Sequence, residues 1–235
     1  MSDVIVQIQQ ALRDASDPSK ADFFPHFFKL RPGDKDEFLG VTVPKQRVIT
    51  KEYFKQLTPK EVLKLLHSPI HEERLTALMI WVLQFQKGDD ATKKEIYDLY
   101  LKNTKWVNNW DLVDSSCRDI VGAYLFDKED KSILNTLSVS KNIWERRIAI
   151  VGTFYFIQHG DPTWTLVLAE RYLTDTHHYI HKATGWMLRE VGKRNDRALL
   201  IEFLDEHAAQ MPRTALRYAI EHLDPTTRAL YLQKR

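Results

Sequence analysis

A chain of 235 residues with 43% apolar and 28% charged residues has an ordinary soluble composition, enough to bury a core as one elongated domain or two small ones. A net charge of +2 is too small to argue by itself for a nucleic-acid partner, and the single cysteine, Cys117, excludes an internal disulfide. The start, Met1-Ser2-Asp3-Val4, lacks the basic and apolar segments of a signal peptide, and no run is long enough to span a bilayer, so a soluble cytoplasmic protein is expected.

Helix signals run from end to end. Asp17-Pro18, Thr58-Pro59, Asp161-Pro162 and Asp224-Pro225 each place a capping oxygen before a proline that loses nothing at a first helical position, and Ser68-Pro69 is a fifth such pair. Gly88 and Gly160 mark stops. Leu75, Leu78, Met79, Val82 and Leu83 follow a helical period, as do Ile148, Val151, Phe154 and Tyr155. The predicted helices are 3–14, 18–29, 45–56, 59–67, 69–87, 91–102, 110–125, 129–138, 141–159, 163–174, 177–193, 196–208, 212–222 and 225–233. Arg31 to Val43 is the one irregular stretch, a loop rather than a linker between domains.

Three segments can be laid over one another: those beginning at Ser68, Ser140 and Thr176 each carry a hydroxyl and then a basic residue six or seven positions later. The basic positions are Arg74, Arg147, Lys182 and, further on, Arg217, with Trp110-Asp111 filling the gap between the first two. Spacings of about 35 residues fit stacked helix pairs, which bury a face only against a neighbouring repeat. This predicts an all-α helical-repeat solenoid over residues 1–235, with Arg74, Asp111 or Asp114, Arg147, Lys182 and Arg217 along its concave face.

Residues 141–235 hold 14 Lys+Arg against 11 Asp+Glu, a mildly basic balance. Lys182, Trp186, Arg189 and Lys193 share one helical face and could neutralise phosphates, although such residues are more often ordinary solvated surface. Trp81 and Trp164 read as core and Trp144 as a helix-start anchor, whereas Trp110 and Trp186 share faces with charged groups. His177, His178 and His181 lack a completing ligand, so no metal and no cofactor is expected. Cys117 has no assignable histidine base, and there is no phosphate-cradling glycine loop. Asp114, one turn from Trp110, remains the best catalytic candidate. One carboxylate is too little for most glycosidic hydrolysis. It suffices where the leaving group is a purine already cationic through alkylation at N3 or N7, which departs without being protonated.

Trp110-Asp111-Leu112-Val113-Asp114, Asn142-Ile143-Trp144-Glu145-Arg146-Arg147, Lys182 to Glu190 and Phe38 to Pro44 together resemble the AlkD-type DNA alkylation repair proteins, HEAT-like-repeat alkylpurine DNA glycosylases. The resemblance runs through nearly the whole chain and is weakest in the last repeat. It implies a HEAT-like solenoid that wraps duplex DNA as a monomer and excises N3- and N7-alkylpurines without drawing the base into a pocket. It implies that Asp114 is the catalytic aspartate, that Trp110 and Trp186 pack against the sugar, and that Arg147 contacts the backbone. Arg74, Lys182, Arg189 and Phe27 complete the expected DNA-contact set, with Phe27 standing where the family has a tyrosine. The competing readings are a relative that binds branched or damaged DNA without excision, and a protein-interaction scaffold.

Overall fold

The computed structural model describes residues 3–29 and 36–234; residues 31–35 of the expected loop lie outside them. The described residues are helical almost throughout, with no strand, as the all-α reading requires. They divide into two compact units, Met1–Ser116 and Cys117–Arg235.

The first unit holds α1 (Asp3–Asp14), α2 (Pro18–Phe28), α3 (Val43–Tyr53), α4 (Leu63–Leu66), α5 (His71–Lys87), α6 (Asp90–Lys102) and α7 (Trp110–Asp114). Helix α5 is its centre, packed against α1, α3, α4, α6 and α7. It is buried nearly all round, including the charged first turn His71, Glu72, Glu73 and Arg74. That burial is tolerable because each charge is met. Glu72 accepts the backbone N–H groups of Leu39, Gly40 and Val41, and Glu73 accepts Gln9 Nε2 at 2.9 Å. Gly40 is required where it stands: its φ is +78°, and a Cβ there would lie 2.1 Å from the Asp17 carbonyl oxygen.

The second unit holds α8 (Ala123–Phe126), α9 (Ser132–Ser138), α10 (Ile143–Gly152), α11 (Phe154–Gln158), α12 (Thr163–Arg171), α13 (His178–Arg194), α14 (Arg197–His207), α15 (Arg213–Ala219) and α16 (Pro225–Gln233). Its centre is α13, against α10, α11, α12, α14 and α15. Two contacts reveal a structural repeat. A Cβ on Gly122 would meet Gly152 O at 2.1 Å and Tyr155 Cβ at 2.9 Å; one on Gly185 would meet Ala215 O at 2.3 Å and Tyr218 Cβ at 2.6 Å. In both, the partners stand 30 and 33 residues further along the chain. Successive repeats thus use one glycine to let two helix backbones touch.

Three expected helices are interrupted or partly replaced by turns, while others, such as Ser132–Ser138 and Arg213–Ala219, lose only a few residues at an end. Residues 59–62 are tight turns, closed by a reciprocal Thr58–Glu61 cap, before the short α4. The expected 110–125 helix ends at α7, where Ser116 Oγ bonds back to Leu112 O at 2.6 Å, and resumes as a π-helical turn at Arg118–Gly122. The expected 141–159 helix breaks at Thr153, whose Oγ1 returns to Ile150 O at 2.7 Å and accepts Thr165 Oγ1 at 2.8 Å. Hydroxyl groups competing for backbone carbonyls override periodicity at both places.

Candidate active site

In the first unit the site is built on α7. Asn109 opens the helix by accepting the Trp110 N–H at 2.8 Å, and Asp114 closes it four residues later on the Trp110 face. Trp110 is half-buried among aromatic rings: Phe27 meets it edge-on at 5.8 Å and Phe28 lies at 5.7 Å. Phe38 stacks on Phe28 at 5.4 Å, and both cover His71, at 5.0 and 4.7 Å.

Beneath these rings lies a charged cluster. His71 is 2% exposed; its Nε2 donates to Asp111 Oδ2 at 2.8 Å and its Nδ1 to Asp36 Oδ2 at 3.2 Å. Arg74, equally buried, donates to Asp36 and to the Ser68 and Pro69 carbonyls. Burial works against charge on His71, but Asp111 and Asp36 outweigh it and the imidazole is pushed up to about 9. Burial also opposes ionisation of Asp36, and the bonds from His71 with the Arg74 charge still hold its carboxyl below the usual range.

The second unit carries the basic residues. Helices α10, α13 and α15 begin at caps Asn142, His177 and Pro212, and Arg147, Lys182 and Arg217 are each the fifth residue after the cap. In α7, capped by Asn109, that fifth residue is Asp114. The sequence reading set Arg147, Lys182 and Arg217 in one register with Asp111 or Asp114; counted from the cap, the matching residue is Asp114. The reading erred with Arg74, which is the fourth residue after its cap, Ile70. The true equivalents of Arg74 are Arg146 and His181, and all three donate to the carbonyl six residues back, at 2.9, 2.8 and 2.6 Å. The residue preceding that turn is Ser68, Ser140 or Asp175, not Thr176: each side chain accepts the N–H two residues on.

Arg74 therefore needs correcting as a DNA contact: its guanidinium is spent inside the fold. Arg147, 5% exposed, donates to the Tyr179 carbonyl at 2.6 Å, so it too has a structural bond. Lys182 is half-buried and forms no hydrogen bond or ion pair with another described residue. Trp186, half-buried, lies 5.7 Å from the Phe154 ring, which the Arg118 and Arg194 guanidinium groups approach at 5.8 and 5.3 Å. Arg189 pairs with Glu221 and Glu190. A cleft of about 230 Å³ opens beside it, rimmed by Lys193, Arg197 and His222. Phe27 is half exposed and braces Trp110. His71, Asp36 and Phe28 escaped the sequence reading: their partners lie far away in the chain, and only a histidine beside two glutamates at a helix start was visible. Trp81 is core as expected, its indole N–H on the Pro59 carbonyl at 3.0 Å.

Among the described residues no helix is long and apolar enough to cross a membrane, and no group of three or more His, Cys, Asp and Glu side chains could hold a metal ion. The family model described as DNA alkylation repair enzyme matches residues 8–223, through both units. No curated protein matches the chain significantly. Among solved structures, one described as a predicted DNA alkylation repair enzyme from Enterococcus faecalis is similar in fold, with a TM-score of 0.71 at 17% identity. The match covers 89% of this chain and 97% of that one.

Proposed function

We propose that this chain, which belongs to the DNA alkylation repair enzyme family, is a monofunctional glycosylase that releases cationic N3- and N7-alkylpurines from duplex DNA. One observation carries the reading. Asp114 occupies the helix position that Arg147, Lys182 and Arg217 fill in later repeats, so a single carboxylate stands in a register of cations. Cations at that position suit phosphates. A carboxylate there suits positive charge, and Trp110 on the same helical face offers a π surface to it.

The chemistry needs little else. The bond between the sugar C1′ and the purine N9 breaks, and its electron pair neutralises the already cationic base. The oxocarbenium ion left behind is stabilised by the Asp114 carboxylate and the face of Trp110; the resemblance to the alkylpurine glycosylases assigns Trp186 to the sugar as well. Water then adds to C1′ and loses a proton, leaving an abasic site. The base departs without entering a pocket, so no cavity for it is required. Lys182 and Arg147 supply phosphate contacts, and the enzyme acts as a monomer with DNA as its partner.

The test is direct. Methylated duplex DNA incubated with the protein should yield free 7-methylguanine or 3-methyladenine and alkali-labile abasic sites. Tight binding to branched or damaged duplex with no base release would instead favour a non-catalytic DNA-binding role.

A further inference from the structure

Asp111 stands three residues before Asp114 on the short helix α7, so whatever holds Asp111 also holds the helix that carries Asp114.

Both ring nitrogens of His71 stand within hydrogen-bond distance of carboxylate oxygens, Asp111 Oδ2 and Asp36 Oδ2. Ionised carboxylates only accept, so both nitrogens must carry protons, and the ring is an imidazolium. Among the described residues, the charges facing it are Asp111 from α7, Asp36 from the loop before α3 and Arg74 from its own helix, and α2 contributes the ring of Phe28. Glu72 and Glu73, adjacent in sequence, turn elsewhere, to the backbone at 39–41 and to α1. Among the described residues the cluster therefore sets two cations against two anions, and the rings of Phe28 and Phe38 cover its imidazole.

We propose that His71 is a positioning residue for α7, a fixed cation that bridges Asp111 and Asp36 and so holds the helix that carries Trp110 and Asp114. Its consequence for catalysis rests on the glycosylase reading; its charge state does not.

Two measurements test this. Nitrogen-15 NMR of the wild-type protein at pH 7.5 should show the His71 imidazole protonated on both nitrogens; a neutral ring overturns the inference whatever the activity. In excision of 7-methylguanine, His71→Gln should be slower by about tenfold through misplacement of α7. Adding Asp111→Asn replaces the unbalanced carboxylate with an amide that can bond the new glutamine and should restore the rate. A folded double variant as slow as His71→Gln overturns the proposal. A wild type that releases no base instead removes the glycosylase reading and leaves the NMR result to decide the charge.

Discussion

The ring of Phe27 meets Trp110 edge-on at 5.8 Å, which makes an exposed phenylalanine the brace of the tryptophan beside Asp114. Edge-to-face pairs contribute about 0.5–1.5 kcal/mol, equivalent to roughly two- to tenfold in rate if all of it reaches the transition state. Phe27→Ala should therefore slow excision by that factor, while Phe27→Tyr, which keeps the ring, should not. Single-turnover base release from a defined alkylated duplex measures both. An unslowed Phe27→Ala would mean that Trp110 needs no brace.

Gly122 and Gly152 face each other across a helix contact, but unequally. A Cβ on Gly122 would lie 2.1 Å from a carbonyl oxygen, whereas one on Gly152 finds its nearest neighbour at 3.9 Å. Gly122→Ala should destabilise by about 1–3 kcal/mol through overpacking. Gly152→Ala should be neutral or stabilising, by up to about 1 kcal/mol from helix propensity. Urea denaturation midpoints moving in these opposite directions would verify the contact.

Stability should depend on pH through His71. Its folded pKa, about 9, lies above the ordinary 6.5, so its contribution is fully present below 6.5 and is lost as pH rises through 9. The loss is on the order of 3 kcal/mol. Asp36 acts in the opposite sense: its depressed pKa gives stability above about 3.8 that disappears as pH falls further. Denaturation across pH 6–10 should show the alkaline decline in the wild type and lose it in His71→Gln.

Arg74 and Lys182 should respond oppositely to alanine. Arg74→Ala leaves Asp36 with one cation fewer in a buried site and should cost about 3–5 kcal/mol of stability. Lys182→Ala should leave stability nearly unchanged while weakening duplex binding and lowering the salt slope by about one unit. Calorimetry and fluorescence titrations over salt separate the two.

Much of this was legible in the sequence because it is local. Asp17 and Asp224 cap their helices as read, and the repeat spacing grouped Asp111 or Asp114 with Arg147, Lys182 and Arg217. The error at Arg74 arose because residues four and five after a cap look alike in sequence. Only the bond to the carbonyl six residues back distinguishes Arg74, Arg146 and His181 from their neighbours. Ser116 and Thr153 broke helices through hydroxyl bonds that periodicity does not register. His71 escaped because its carboxylates come from 35 positions before it and 40 after it.

The most direct test of the central claim compares wild type with Asp114→Asn on one 7-methylguanine-containing duplex, measuring affinity and single-turnover release together. The two proteins should bind alike, with release by Asp114→Asn slower by about 10²-fold or more, the effect of removing a pre-organised charge from a transition state. Release at the wild-type rate would contradict the account.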